Sequence, residues 1–103
     1  MVLDYLDPEN EYIHHRLFRE HCHATPEGIY VKDLRIMDRD LKDVILVDNA
    51  AYSYAFQIDN GIPILPYYHG PNDFELQTLQ KYLDRMLLTD DVRKVNRSVF
   101  KFH

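Results

Sequence analysis

Apolar residues come in short clusters separated by polar turns, and their spacing changes character along the chain. Val2, Leu3, Tyr5 and Leu6 fit one or two helical turns, stopped near Asp7-Pro8 because the residue before proline is driven out of the helical region. Arg16-Leu17-Phe18-Arg19 alternates weakly and predicts a short strand. Thr25-Pro26-Glu27-Gly28 reads as a type I turn, with proline pre-setting φ at its second position and glycine suiting its fourth. Ile29-Tyr30-Val31 follows with β-branched and aromatic side chains, so a hairpin is predicted there. Val44-Ile45-Leu46-Val47 is the clearest strand, and an unbroken apolar run predicts burial on both faces, the habit of a central parallel strand. It ends abruptly at Asp48-Asn49. Ile62-Pro63-Ile64-Leu65 predicts a short or edge strand, since proline cannot donate to a ladder.

Beyond residue 70 the period lengthens. Leu76, Leu79, Leu83 and Met86 recur at spacings of three and four, which predicts a helix over residues 72–87. Asn72 is its expected cap, with Glu75 completing a capping box. Asp90-Asp91 predicts the start of a last helix holding Val92, Val95 and Val99. Helices alternate with strands, so the expected class is α/β.

Composition narrows this further. A chain of 103 residues makes one small domain, and 46% apolar residues suffice for a packed core. A net charge of −5 argues against a nucleic-acid partner. The single cysteine, Cys22, cannot form an internal disulfide, so a reducing intracellular compartment is expected. No apolar run approaches the roughly 18–20 residues of a membrane helix, and the first residues lack the basic flank and apolar core of a signal peptide. The expectation is a soluble intracellular protein without a membrane partner.

Four groups of residues could carry chemistry. Asp48 and Asn49 are hard oxygen donors of the type Mg²⁺ prefers, presented at the C-terminal end of a strand, where open parallel sheets bind ligands. Both residues also favour strand-to-turn junctions for local reasons. Lys32, in Tyr30-Val31-Lys32-Asp33-Leu34, offers a compact positive charge for a phosphoryl group, or is an exposed strand-end lysine. Arg19 has a planar fork that matches phosphate oxygens, although pairing with a neighbouring carboxylate is the commoner fate. His21-Cys22-His23 has metal-binding residue types, but no second pair at zinc-finger spacing completes a tetrahedral site. The basic residues Arg93, Lys94, Arg97 and Lys101 read as a solvated helix face.

In series these segments resemble the small C-terminal-domain phosphatases, the nuclear LIM-interactor-interacting-factor-like family of the haloacid dehalogenase superfamily. The strings that carry the resemblance are Arg16-Leu17-Phe18-Arg19-Glu20-His21-Cys22, Tyr30-Val31-Lys32-Asp33-Leu34, Asp38-Arg39-Asp40-Leu41, Val44-Ile45-Leu46-Val47-Asp48-Asn49 and Asp59-Asn60-Gly61-Ile62-Pro63-Ile64. Their order and spacing agree over nearly the whole chain. The resemblance implies a partial Rossmann-like haloacid dehalogenase domain, with a central parallel sheet flanked by helices. Residues 1–103 would be the C-terminal half of that domain. It further implies a Mg²⁺-dependent protein serine/threonine phosphatase acting through a phosphoaspartyl intermediate on a phosphoprotein such as the RNA polymerase II C-terminal domain, in the nucleus rather than the cytoplasm. Lys32 would stabilise the intermediate's charge, Asn49 would ligate Mg²⁺, Asp48 would orient and help to form the metal shell, and Arg19 would contact the substrate phosphate.

The family's Asp-x-Asp-x-Thr motif, which holds the nucleophile, does not occur in this sequence; Asp4-Tyr5-Leu6-Asp7 has the wrong spacing. Ala50-Ala51 stands where the family usually has Ser-Pro, a loss that could loosen the metal loop, and the Thr25-Gly28 turn is about one residue longer than usual. Alone, the chain is therefore expected to be inactive and to bind Mg²⁺ weakly or not at all. The alternative is a non-catalytic interaction module derived from the phosphatase fold. Half a sheet also leaves open edges, which implies marginal stability, self-association, or a partner chain that completes it.

Overall fold

The computed structural model describes residues 2–100; Lys101, the last of the basic residues above, lies outside them. Helix α1, Val2–Leu6, stops where Asp7-Pro8 predicts. Asp7 is almost fully buried because its carboxylate accepts three backbone N–H bonds, from Glu11 (2.8 Å), Tyr12 (3.1 Å) and Ile13 (2.7 Å). Arg16 closes this turn by donating to the carbonyls of Leu3 and Asp7 and to the Asp4 carboxylate. That commitment explains why the strand expected over residues 16–19 does not form. Residues 16–18 are irregular, and Arg19–His21 is a single 3-10 turn in which Nδ1 of His21 accepts the N–H of Phe18.

The expected hairpin is present. Strands β1 (His23–Ala24) and β2 (Tyr30–Val31) pair antiparallel around a turn closed by the Gly28 N–H on the Thr25 carbonyl, 3.0 Å. Gly28 has φ +85°, a left-handed conformation that a Cβ would strain.

Strand β3 (Leu46–Asp48) pairs parallel with β4 (Gly61–Pro63) in the register Leu46–Gly61, Val47–Ile62 and Asp48–Pro63. This parallel pair, flanked by helices, makes the chain a partial α/β domain. The strand is shorter than the apolar run, and it is half-buried rather than buried on both faces. Two causes are visible. The Val44 carbonyl turns away to accept from Nδ2 of Asn60 (2.7 Å), and among the described residues β4 is the only strand paired with β3. The link between them is a run of 3-10 turns, Ala51–Asn60, broken by non-helical dihedrals at Tyr54 and Gln57. Tyr54 is fully buried, with its ring against Gly61.

Helix α2 spans Glu75–Met86, three residues shorter at its start than the spacing predicts. The expected capping box does not form. Asp73, not Asn72, accepts the Glu75 N–H (3.0 Å), and the Glu75 carboxylate reaches across to the Leu65 N–H (2.9 Å). Leu79, Leu83 and Met86 pack on the sheet, while Leu76 is 71% exposed and leaves the predicted stripe. Helix α3 is Val92–Val99. The core gathers Ile62, Met86 and Val92, with Ile45, Val47, Tyr82, Val95 and Phe100 around them. Asn96 is buried among these apolar groups because both ends of its amide are used: it donates to the Asp59 carbonyl (2.8 Å) and accepts from the Tyr82 hydroxyl (2.7 Å). Two of the three basic residues of α3 make ion pairs, Arg97 with Asp59 and Arg93 with Asp91.

Asp91 caps α3 through the Arg93 N–H (3.0 Å). The Arg93 guanidinium, with that N–H, holds the Asp91 carboxyl down at about 2. A carboxyl depressed on folding adds stability above its unfolded value near 4 and loses that contribution as pH falls toward 2. Urea midpoints measured between pH 5 and pH 2 should therefore fall less steeply in Asp91→Asn than in the wild-type chain. Equal slopes would remove this role.

Candidate functional site

The C-terminal end of β3 delivers Asp48 beside the residue after β2. The ammonium of Lys32 lies 2.6 Å from Oδ2 of Asp48, although sixteen residues separate the two. Their side chains differ in exposure, 47% for Lys32 against 10% for Asp48, so the carboxylate is sheltered while the ammonium is half open to solvent. An ammonium has three N–H donors. One is used on Asp48, which leaves the others able to meet an anion.

Asp48 is held on every side. Its Oδ1 accepts the Ala50 N–H (2.9 Å), and the Ser53 side chain lies near its carboxylate. Burial disfavours its charge, but Lys32, Ala50 and Ser53 together outweigh that and hold the carboxyl below its usual range. The bond from Ala50 is a backbone contact, so this part of the loop does not depend on the side chain at position 50.

Two clefts meet at this pair. One, of about 800 Å³, is lined by Arg19, Lys32 and Ser53 among apolar neighbours that include Leu17, Ile29 and Leu46. The other, of about 550 Å³, is lined by Asp48 and Asn49 with Leu65, Tyr67 and Asp73. The structure therefore brings Lys32 and Asp48 into contact, leaves Asn49 exposed beside Asp48, and places Arg19 in the Lys32 cleft. Of the fates weighed for Arg19 from sequence, pairing with a carboxylate does not occur among the described residues. Its guanidinium lies over the Tyr30 ring, 5.4 Å from the centroid, a cation–π contact. His21 and His23 are engaged elsewhere, His21 with the Phe18 N–H and His23 edge-on to Phe56.

Two contributors escaped the sequence reading, Ser53 and Tyr30. Tyr30 was legible only as a strand residue. Ser53 sits in a run of 3-10 turns that carries no periodic signal.

As donors, Asp48 and Asn49 suit Mg²⁺ in kind, being hard oxygens. They fall short in number, since Mg²⁺ takes six ligands, and among the described residues no group of three or more His, Cys, Asp or Glu side chains gathers.

Comparison with known proteins gives this geometry a family. The chain is 46% identical over 101 residues to the CTD small phosphatase-like protein 3 of Caenorhabditis elegans, covering 97% of this chain and 35% of the relative. It is 48% identical over 94 residues to a probable C-terminal domain small phosphatase of Dictyostelium discoideum, covering 91% and 30%. To the human carboxy-terminal domain RNA polymerase II polypeptide A small phosphatase 1 it is 40% identical over 82 residues, covering 80% and 31%. The chain thus spans about a third of the length of these relatives. The match to the family model described as NLI interacting factor-like phosphatase takes in residues 1–93, and on it the chain belongs to that family.

Proposed function

We propose that residues 1–103 are the C-terminal half of a Mg²⁺-dependent protein serine/threonine phosphatase domain, the part that holds the phosphoryl group and completes the metal shell. The observation that carries this reading is the ammonium of Lys32 paired with Asp48 at the end of a parallel strand, 2.6 Å apart and half open to solvent. Lys32 offsets the negative charge of a phosphoryl group in transfer. Asn49 would hold a bound ion through its amide oxygen, and Asp48, which holds Lys32 in place, would orient the ion's shell. Bound Mg²⁺ would supply charge neutralisation at the phosphoryl oxygens. Arg19, now resting on Tyr30 in the same cleft, swings its fork onto the substrate phosphate.

The nucleophile is not among these 103 residues, since no Asp-x-Asp-x-Thr occurs in them. The chain by itself therefore binds Mg²⁺ weakly at most and does not turn over phosphate. Substrate, in this reading, is a phosphoserine or phosphothreonine protein; the names of relatives point, for them, to the carboxy-terminal domain of RNA polymerase II and to the nuclear envelope, and a nuclear site of action goes with the reading. A nucleic-acid partner does not suit a chain of net charge −5, and among the described residues no helix is long and apolar enough to cross a membrane.

The test is a graft in which this chain replaces the aligned segment of the Caenorhabditis elegans relative. Hydrolysis of p-nitrophenyl phosphate is expected from the graft with Mg²⁺ and not from the 103-residue chain. Asn49→Ala should raise the Mg²⁺ concentration needed for half-maximal rate about tenfold or more. Turnover by the pure chain, or a folded graft without turnover, would overturn the reading. The second of those outcomes is what an interaction module predicts, and Ala50-Ala51 beside Asn49 is the feature that favours that alternative.

The half-exposed parallel pair has a further consequence. Leu17, Ile29, Leu65, Leu76 and Leu88 are all exposed in the isolated chain, and the outer edge of β3 is open among the described residues. Sedimentation of the pure chain should show concentration-dependent association. A monomer with a sharp, reversible melt would count against dependence on a second chain.

A further inference from the structure

Residues 32–34 are each bonded to the irregular run Ala51–Asn60 that links the two parallel strands. The Lys32 N–H reaches the Ser53 carbonyl at 2.7 Å. The next two residues are held by one half-buried side chain, that of Gln57. Its Nε2 donates to Oδ1 of Asp33 (2.9 Å), and its Oε1 accepts the Leu34 N–H (2.9 Å). Gln57 stands at one of the two non-helical kinks in the run, with φ −132° and ψ 65°. The Asp33 side chain is 18% exposed, and it also accepts from the backbone N–H and the guanidinium of Arg35. A carboxamide carries, on one planar group, the donor that a carboxylate needs and the acceptor that an N–H needs. Gln57 uses both on adjacent residues.

We propose that Gln57 is a positioning residue of this site, its amide clamping the segment that carries Lys32 so that the ammonium keeps its place on Asp48. The proposal rests on the phosphoryl role given above to Lys32. Lys32 follows the antiparallel hairpin and Asp48 ends the parallel pair, two sheets that share no strand pairing. The ammonium rides on a flexible four-carbon stem, so the ion pair alone does not fix where the Lys32 backbone sits. The Ser53 carbonyl holds that backbone at one point, and a single hydrogen bond is a pivot. Gln57 adds two points on the residues immediately after Lys32, which turns the pivot into a fixed segment. Small misplacements of a charge are costly to a transition state. Both Gln57 bonds come from its side chain, so substitution removes them.

Three variants, made in the full chain and in the graft, separate this role from packing. Gln57→Met keeps the length of the side chain and loses both bonds. Gln57→Glu keeps the bond from the Leu34 N–H but sets a second carboxylate against Asp33. Combining Gln57→Glu with Asp33→Asn exchanges the acid and the amide, so that both bonds return with the donor on the other side. In the chain alone, ¹⁵N spectra report hydrogen exchange of the Lys32 ammonium, with no activity required. Exchange should quicken roughly fivefold in Gln57→Met and Gln57→Glu, about what losing one ordinary hydrogen bond gives, and return near wild type in the double variant. In the graft, kcat should fall about 10- to 100-fold in each single variant with KM within about twofold, and the double variant should recover most of it. Unchanged ammonium exchange in a folded Gln57→Met or Gln57→Glu chain would overturn the positioning role. A double variant as impaired as Gln57→Glu would mean that position 57 acts by shape rather than by its amide, and would likewise overturn the proposal. A wild-type graft without turnover, with the exchange effect and its recovery intact, would leave the clamp standing and locate the failure in the phosphatase reading.

Discussion

Lys32→Ala in the graft is expected to lower kcat by about 10²–10³-fold, the usual cost of removing one preorganised donor from a site where charge develops. KM should change far less, because the ammonium is worth most when phosphoryl oxygens carry the charge of the transition state. The structure supports a large effect through two features. Lys32 is oriented by a sheltered carboxylate at 2.6 Å, so little reorganisation is needed, and its remaining donors open into the cleft that also holds Arg19. Lys32→Arg should not rescue the loss fully, since a planar fork cannot place a compact charge at the same point. The stability of the chain should change little, because the pair is half exposed on the lysine side and such pairs contribute little. Steady-state kinetics on folded graft proteins decides the matter. A kcat within threefold of wild type would remove Lys32 from the chemistry.

Gly61→Ala should be the most damaging small substitution in the fold. Gly61 has φ −85° and ψ 138°, ordinary extended values, so backbone freedom is not why glycine stands there. Space is the reason. A Cβ at position 61 would overlap the ring of Tyr54, which is fully buried and cannot swing aside. Overpacking of this kind costs about 1–3 kcal/mol, with larger values where nothing relaxes. Because Gly61 pairs with Leu46, relief of the clash by moving β4 would also displace β3 and therefore Asp48. Urea denaturation should show the loss for Gly61→Ala in the wild-type background and a much smaller one in a Tyr54→Ala background, the coupling expected of direct contact. Equal losses in the two backgrounds would show that the ring is not the obstacle.

Local rules carried the helices and the turn well. Pro8 stops α1, Asp91 caps α3, and Thr25 to Gly28 closes the hairpin, because in each case the deciding bonds lie within a few residues of one another. The same rules failed where a side chain had a better partner far along the chain. Glu75 left the capping box for the Leu65 N–H, and Arg16 left the expected strand for the end of α1. Asn60 drew the Val44 carbonyl out of the parallel ladder. Each is a polar group that found a distant donor or acceptor, and no periodicity records such a choice. Asn96 shows the same limit from the other side. It stands among basic residues near the end of the chain and is nevertheless buried, its amide matched by the Asp59 carbonyl and the Tyr82 hydroxyl.

For the site itself, the sequence by itself determined which residues could do the chemistry: an acid and an amide closing an apolar run, a lysine after a hairpin, and a series of motifs whose order identifies the family. Residue type and chain order survive without coordinates. Only the tertiary structure decided that the Lys32 ammonium meets Asp48, that Arg19 rests on Tyr30, and that the Ser53 carbonyl accepts the Lys32 backbone N–H. Those contacts join segments eleven or more residues apart, and no local preference records which distant segments will meet.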